Sequence, residues 1–240
     1  MGNFIGHFID ILYPKYCHIC HNRLKSNDLN NVVCLNCWSK IKKNLPPFCR
    51  RCGRNIKNIH IAKNICAGCR RTNYSFDRAL SPCVYEGVLK ELIYQFKYGS
   101  RDYLGKTLSR LLIDFIKEYN LEVSLFDLII PVPLHKRKLR EREFNQAQIL
   151  SEYLAAGLGI ELSTKELIRV HDTRTQTELT DRQRWDNLSG CFAVSRDNKV
   201  KGKNILLIDD VLTTGATCSE AAAALKGAGA AVVFVLTLAN

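Results

Sequence analysis

The chain lacks any apolar run that could cross a bilayer. No uninterrupted apolar stretch in its sequence approaches the roughly 20 residues that a membrane-spanning helix needs. Residues 1–12 carry no basic side chain ahead of their apolar positions, as a secretory signal would, and Gly6 stands where a myristoylation signal has Ser or Thr. We therefore expect a cytoplasmic protein without membrane insertion, in which residues 1–12 form a short amphipathic helix.

Acidic residues are scarce in the first third of the chain. Residues 1–76 contain only Asp10 and Asp28 against thirteen Lys and Arg, a formal charge of +11, whereas residues 77–240 carry a formal charge of +1. So uneven a distribution of charge indicates either an anionic partner for residues 1–76 or anions within them.

Cysteine thiolates would supply part of the negative charge that residues 1–76 lack. Eight of the eleven cysteines form four C-x-x-C pairs: Cys17/Cys20, Cys34/Cys37, Cys49/Cys52 and Cys66/Cys69. Thirteen residues separate the two pairs of each set, and the second set repeats the first 32 positions later. This spacing predicts two structural Zn²⁺ ions in Cys₄ ribbons, because each C-x-x-C turn offers two thiolates to one ion. A crossed use of the four pairs stays open, and a disulfide framework is the alternative that the missing secretory signal disfavours.

Two Zn²⁺ ions and eight thiolates would still leave residues 1–76 at about +7. A field of this strength over so short a segment predicts a nucleic-acid partner, and we expect contacts from Arg50, Arg51 and Arg54. Candidates for base stacking are few, so phosphate contacts should dominate the binding of nucleic acid. The alternative is that part of the Lys and Arg neutralise the thiolates by hydrogen bonding.

A buried-strand pattern, two acids and a Thr/Gly loop follow one another between residues 204 and 217. Residues 204–208 are mostly branched and apolar, which is typical of a parallel strand, and the Ala-rich stretch 219–226 predicts a helix. Ligands bind outside the carboxyl ends of such strands, and a loop that opens a helix offers N–H groups to a phosphate. Asp209 and Asp210 would repel a phosphate, so they suit sugar hydroxyls or a Mg²⁺ ion beside it. The pattern predicts a ribose-phosphate site, with a plain acidic turn as the alternative.

The rest of the chain predicts an α/β domain over residues 77–240, preceded by a double zinc-ribbon module over residues 1–76. Strands are predicted at 79–85, 125–132 and 229–239, and helices at 87–97, 103–119 and 143–156, the last of them capped by Gly157 and Gly159. Residues 163–195 are polar and predict a small hood over the strand ends. The βαβ order indicates a mainly parallel sheet with helices on both faces. Cys83, Cys191 and Cys218 are interpreted as small buried hydrophobes, although the helix dipole at Cys218 could lower its thiol pKa.

A basic loop follows the predicted strand 125–132. Because it leaves a parallel strand, it should face the same crevice as Asp209, where Arg can bind phosphate oxygens in a bidentate manner. We expect it to contact pyrophosphate or nucleic acid, and a solvated basic face is the alternative. The pyrophosphate candidates are Val132, Pro133, Leu134, His135, Lys136 and Arg142.

Several segments together resemble a known family. IDDVLTTGAT (208–217) resembles the phosphoribosyl pyrophosphate (PRPP) motif of type I phosphoribosyltransferases. QFKYGSRDYLG (95–105), PVPLHKRKLREREFNQA (131–147) and the polar stretch 176–192 resemble the ComF family, also called ComFC/GntX-like, as does the double zinc ribbon. The resemblance spans essentially the whole chain.

The resemblance implies a type I phosphoribosyltransferase fold that binds PRPP with Mg²⁺. Asp209 and Asp210 would hold the ribose hydroxyls. The 5′-phosphate would lie in the loop formed by Thr213, Thr214, Gly215, Ala216 and Thr217. Hood contacts would come from Gln176, Arg184 and Asn187. The family role would be cytoplasmic handling and uptake of single-stranded DNA in natural transformation, with other DNA-uptake proteins as further partners.

Two positions depart from the patterns of relatives. Glu143 stands where the family usually has Gly, which matters if the backbone there adopts an angle that Gly favours. Thr213 stands where purine-salvage enzymes commonly place an Asp that meets the incoming base, and Thr cannot act as a carboxylate base. The sequence thus favours PRPP binding over efficient base transfer and assigns no catalytic residue. An active transferase with an unidentified acceptor and a PRPP-responsive regulator of duplex DNA remain alternatives, although no helix-turn-helix signal supports the regulator.

Overall fold

The computed structural model describes residues 14–25, 28–56, 64–171, 188, 190–197 and 199–240. Its strands are β1 (Arg78–Leu80), β2 (Leu128–Pro131), β3 (Glu161–Leu162), β4 (Leu167–Arg169), β5 (Phe192–Val194), β6 (Asn204–Val211) and β7 (Val232–Ala239). Its helices are α1 (Leu35–Trp38), α2 (Ala67–Arg71), α3 (Gly87–Tyr98), α4 (Leu104–Glu118), α5 (Lys136–Arg142), α6 (Gln146–Leu158) and α7 (Ala216–Gly227), with a 3₁₀ turn at Val123–Leu125. Within these ranges, none of the helices has the length and hydrophobicity that a membrane crossing requires.

A five-stranded sheet in the order β1-β7-β6-β2-β3 forms the centre of the fold, and every neighbouring pair in it is parallel. The long strands β6 and β7 are buried on both faces, which explains the continuous apolar runs of their sequences. β4 and β5 form a separate antiparallel pair in the region predicted to be the hood. The predicted α/β architecture is confirmed.

Alternate residues of β6 belong to two different cores. Leu206 and Ile208 pack with α3, α4 and α6 on one face of the sheet, whereas Ile205 and Leu207 pack with α7 on the other. Each core also contains buried residues from one half of the cysteine repeat. Cys17, Val32, Val33, Cys37 and Ile41 join the first core, and Cys49, Cys52 and Ile56 join the second. The two cysteine-rich segments therefore pack with the cores of opposite faces.

Asn44 joins the cysteine-rich segments to the sheet. Its buried side chain donates hydrogen bonds to the carbonyl oxygens of Gly53 and Ser81, both at 2.9 Å, and accepts one from the N–H of Asn55 at 3.2 Å. Gly53 has a φ of +71°, and a Cβ there would lie 2.4 Å from the carbonyl oxygen of Ala79 in β1. Glycine is required at this position both by its backbone angle and by the close approach. The boundary between the zinc-ribbon module and the α/β domain, placed between residues 76 and 77, stays a prediction.

Three predicted elements need correction. The strand predicted at 79–85 ends at Leu80, because Pro82 has no N–H for a ladder. The basic loop contains the helix α5, which His135 caps by accepting from the N–H of Arg137. Glu143 ends α5 with a φ of +68°, so the angle that Gly favours is indeed present there. The following helix begins only at Gln146.

The predicted glycine caps and hood residues have different outcomes. Gly159 ends α6 with a φ of +69°, whereas Gly157 lies inside that helix. The hood candidates Gln176, Arg184 and Asn187, like the amino-terminal helix expected at 1–12, lie outside the described residues.

Candidate functional site: two cysteine clusters and the loop after β6

The eight cysteines form two groups, Cys17/Cys20/Cys34/Cys37 and Cys49/Cys52/Cys66/Cys69, and within each group the sulfurs lie within 4.8 Å of one another. The Sγ atoms of Cys20 and Cys34 are 3.7 Å apart, as are those of Cys52 and Cys66. Four sulfurs at about 2.3 Å from a tetrahedral zinc would lie about 3.8 Å apart. The donor sets therefore fit two structural Zn²⁺ ions, and each ion uses consecutive pairs, so the crossed arrangement is wrong.

Backbone N–H groups point at two sulfurs in each cluster, those of Cys17 and Cys34 in the first and those of Cys49 and Cys66 in the second. Cys17 Sγ lies 3.5 Å from the N–H of Ile19 and 3.4 Å from that of Cys34, and Cys49 Sγ lies 3.3 Å from that of Cys66. Burial raises the pKa of Cys17 and Cys49, but these N–H groups outweigh it and lower both values to about 7. The backbone N–H groups thus favour the thiolate form of Cys17 and Cys49, whereas burial raises the pKa of Cys37, Cys52 and Cys69.

The acidic pair lies where β6 ends. Asp209 turns inward, since its Oδ1 accepts from the N–H of Asp210 at 2.8 Å and its Oδ2 lies 3.5 Å from the sulfur of buried Cys218. Burial, together with the charge of Asp210, raises the pKa of Asp209 to about 7. Burial also raises the pKa of Cys218 well above its usual range, and the charge of Asp209 adds to the rise. The helix dipole therefore does not activate Cys218, which is confirmed as a buried small residue.

Lys97 neutralises the second acid. Its Nζ lies 2.8 Å from Asp210 Oδ1, and the exposed fractions of the two side chains are only 18% and 11%. Burial would lower the pKa of Lys97, but the charge of Asp210 and its hydrogen bond outweigh burial and raise it. Lys97 comes from α3, more than a hundred positions before its partner, so sequence spacing gave no sign of this pair.

Side chains from the cysteine-rich region hold the carbonyl groups of the loop after β6. Arg54 Nη2 donates to the carbonyl oxygens of Leu212, at 3.4 Å, and Thr213. The hydroxyl of Tyr74 donates to the carbonyl oxygen of Thr214 at 2.9 Å. Arg51 in turn donates to the carbonyl oxygen of Tyr74. Arg51 and Arg54, both predicted to contact DNA, therefore hold the structure of this region instead. Arg50, the third predicted DNA contact, is exposed and makes no such contact with the loop.

The backbone N–H groups of the same loop are available to a ligand. Among the residues that the structure describes, the N–H groups of Thr213, Thr214 and Gly215 donate no hydrogen bond within the chain. Gly215 has a φ of +79°, and a Cβ there would come within 2.6 Å of the Tyr74 ring. A loop with bonded carbonyls and unused amides at a helix N-terminus can bind an anion such as phosphate.

A cavity of about 510 Å³ brings the candidate residues together. Asp209, Asp210 and all five residues of Thr213–Thr217 line it, and so do Val132, Leu134 and Arg142 from the basic segment. Pro133, His135 and Lys136 do not line it. The cavity wall also includes residues that sequence reasoning missed, namely Lys90, Tyr94, Lys97, Tyr98, Asn145 and Arg169. Lys97, Tyr98 and Asn145 lie in the segments 95–105 and 131–147 that resemble the ComF family, but the sequence analysis gave them no individual role.

Comparisons with known proteins agree with this organisation. A family model described as a double zinc ribbon domain matches residues 8–70, and one described as a phosphoribosyl transferase domain matches residues 146–240. Competence protein F of Haemophilus influenzae is 32% identical over 92% of this chain and 95% of its own length. The DNA utilization protein YhgH of Escherichia coli K12 is 30% identical over 94% and 96%. Competence protein ComFC of Bacillus subtilis is 33% identical over 83% and 81%.

Metal analysis of the reduced, purified chain should find two zinc ions. Cys17→Ser and Cys49→Ser should each lose one ion, because each substitution removes a thiolate from a different cluster. Cys83→Ser is the matched control, since Cys83 is buried but belongs to neither cluster. A Cys49→Ser variant that retained both ions would refute the assignment of that cluster.

Lys97→Met should lower the free energy of unfolding by about 3 kcal/mol, because it leaves Asp210 buried without its counter-charge. Adding Asp210→Asn to Lys97→Met should restore most of the loss. Urea unfolding of the zinc-loaded chain measures both effects, with Lys90→Met on the exposed side of α3 as the control. Equal losses in the Lys97 and Lys90 variants would mean that the ion pair contributes nothing to stability.

Proposed function

This chain belongs to the ComF family, the family of competence protein F and ComFC, and we propose that it binds PRPP with Mg²⁺ and handles single-stranded DNA during natural transformation. The proposal places the protein in the cytoplasm and gives it other DNA-uptake proteins as further partners. PRPP binding rests on the site described above, and the DNA role rests on the charge of the zinc ribbons and on the names of the relatives.

The loop after β6 is the feature that carries the PRPP proposal. Its unused amides suit the 5′-phosphate, and the hydroxyls of Thr213, Thr214 and Thr217 can add hydrogen bonds. Asp209 and Asp210 would hold the ribose hydroxyls together with Mg²⁺, an ion that prefers oxygen ligands. The bound pyrophosphate would face Val132, Leu134 and Arg142 across the cavity.

PRPP binding without efficient base transfer is the form of the activity that we favour. Among the described residues that line the cavity, Asp209 and Asp210 are the only acids, and both belong to the proposed ribose site. Thr213 offers a hydroxyl where purine-salvage transferases commonly place a carboxylate that meets the base. A transferase that uses a different acceptor would need its base from elsewhere in the chain.

The DNA role follows from the cationic surface of the zinc ribbons. Arg50, Arg70 and Arg71 are exposed on the second ribbon, and the last two occupy the final turn of α2. Most aromatic residues of the module that the structure describes are engaged: Phe48 packs on Phe115 and Tyr119, and Tyr74 stacks on Phe76. Contacts from this surface would therefore go to phosphates rather than to bases.

Calorimetry with PRPP at saturating Mg²⁺ tests the first half of the proposal. Asp209→Ala combined with Asp210→Ala should weaken binding more than tenfold, since each charge-assisted hydrogen bond is worth about 1.5–3 kcal/mol. Asp114→Ala, an exposed acid on α4, is the control and should bind like the parent chain. Unchanged affinity in the double variant would put PRPP at a different site.

The salt dependence of oligonucleotide binding tests the second half. Replacing Arg50, Arg70 and Arg71 with Ala should flatten the slope of log affinity against log salt by about 2, because each phosphate contact to a single strand contributes about 0.7. Replacing Lys106, Arg110 and Lys117 on α4 removes the same charge from another surface and should leave the slope nearly unchanged. Equal slopes in the two triple variants would show that the second ribbon is not the DNA-binding surface.

A further inference from the structure

Two tyrosines stand side by side on α3 at the wall of the cavity. Tyr94 and Tyr98 are one helical turn apart, their ring centroids are 5.1 Å apart, and each residue is 57% exposed. An i, i+4 aromatic pair gives a helix only a few tenths of a kcal/mol. Such a small gain does not account for two large rings left in water beside a binding cavity.

Arg142 fixes one of these rings before any ligand arrives. Its guanidinium lies 5.1 Å from the centroid of the Tyr98 ring, and its Nη2 donates to the Tyr98 hydroxyl at 3.4 Å. Its Nη1 donates to Gln146 Oε1 at 3.2 Å, and Gln146 is itself buried. Arg142 thus connects the tyrosine pair to α6 and limits the rotation of Tyr98.

The surroundings of the pair are cationic. The described cavity wall contains five Lys or Arg against two Asp. Lys97 is paired with Asp210, and Arg169 is only 8% exposed and lies over the Phe192 ring, whereas Lys90 is exposed at the wall. Exposed aromatic faces combined with cations are the features that bind unpaired bases and their phosphates.

We propose that Tyr94 and Tyr98 form a stacking platform for unpaired bases of single-stranded nucleic acid, whose phosphates contact exposed cations of the cavity wall such as Lys90. The platform rests on the proposed function and adds a base-binding surface to it, beside the PRPP cavity and separate from the zinc ribbons. A duplex does not fit this role, because its base faces are already stacked. Stacking is tolerant of sequence, so the platform would accept any entering strand.

Fluorescence anisotropy with a labelled oligothymidylate of about 15 nucleotides tests the platform, at low and at high KCl. Tyr94→Ala combined with Tyr98→Ala should weaken binding about tenfold or more at both salt concentrations, because base stacking does not release counterions. Log affinity should therefore fall by the same amount between low and high KCl in the parent chain and in the double Ala variant. Tyr94→Phe combined with Tyr98→Phe keeps the rings and should bind like the parent chain. Tyr153→Ala, an exposed tyrosine on α6 away from the cavity wall, is the control.

Further arms of the experiment identify the ligand and separate this inference from the proposed function. An abasic strand of the same length should bind the parent chain as weakly as the double Ala variant binds oligothymidylate. An oligouridylate should bind like the DNA strand, because stacking does not distinguish the two sugars. Thymidine monophosphate should compete only weakly, because the ligand is a strand and not a free nucleotide. Binding of the double Ala variant within twofold of the parent would overturn the platform and leave DNA binding intact. A parent chain that bound no oligonucleotide would overturn both, while PRPP calorimetry would still report on the cavity alone.

Discussion

The candidate PRPP site depends on hydrogen bonds that the zinc-ribbon module makes to the loop after β6. Arg54 and Tyr74 take up the carbonyl oxygens of three consecutive loop residues, and this leaves the loop amides for a ligand. Arg54 follows the second zinc cluster's Cys52 by two residues, and Tyr74 follows its Cys69 by five. Zinc at this cluster would therefore hold both donors in place, so a metal that never touches the ligand can still shape the site that binds it.

The first ribbon is connected to the same site through α3. Gln95 donates to the carbonyl oxygen of His18 in the first cysteine turn at 3.0 Å, and Arg101 lies 2.9 Å from the His18 ring. Two residues after Gln95, Lys97 pairs with Asp210. The segment QFKYGSRDYLG thus joins a zinc ribbon to the acidic pair. Because each ribbon also packs into one of the two cores, the module and the sheet share a continuous interior.

Sequence reasoning succeeded where a short pattern determines the structure. The C-x-x-C spacing identified both clusters because ligand geometry is local, and the apolar runs identified β6, β7, α3 and α4 because burial repeats along each element. It also brought Asp209, Asp210 and the Thr/Gly loop to one cavity. It failed where partners are distant in sequence, as for Lys97 with Asp210 and Arg54 with Thr213. The helix α5 was missed for another reason. Its dense run of basic residues was interpreted as a loop, although Lys, Arg, Leu and Glu are good helix formers.

Hydrogen–deuterium exchange of the zinc-loaded chain, measured with and without PRPP and Mg²⁺, tests the central claim most directly. The amides of residues 213–215 make no hydrogen bond within the described chain, so they should exchange rapidly in the free protein. We expect PRPP with Mg²⁺ to slow exchange in peptides that cover residues 212–217. Unchanged exchange in those peptides at saturating PRPP would contradict the claim that this loop binds the phosphate.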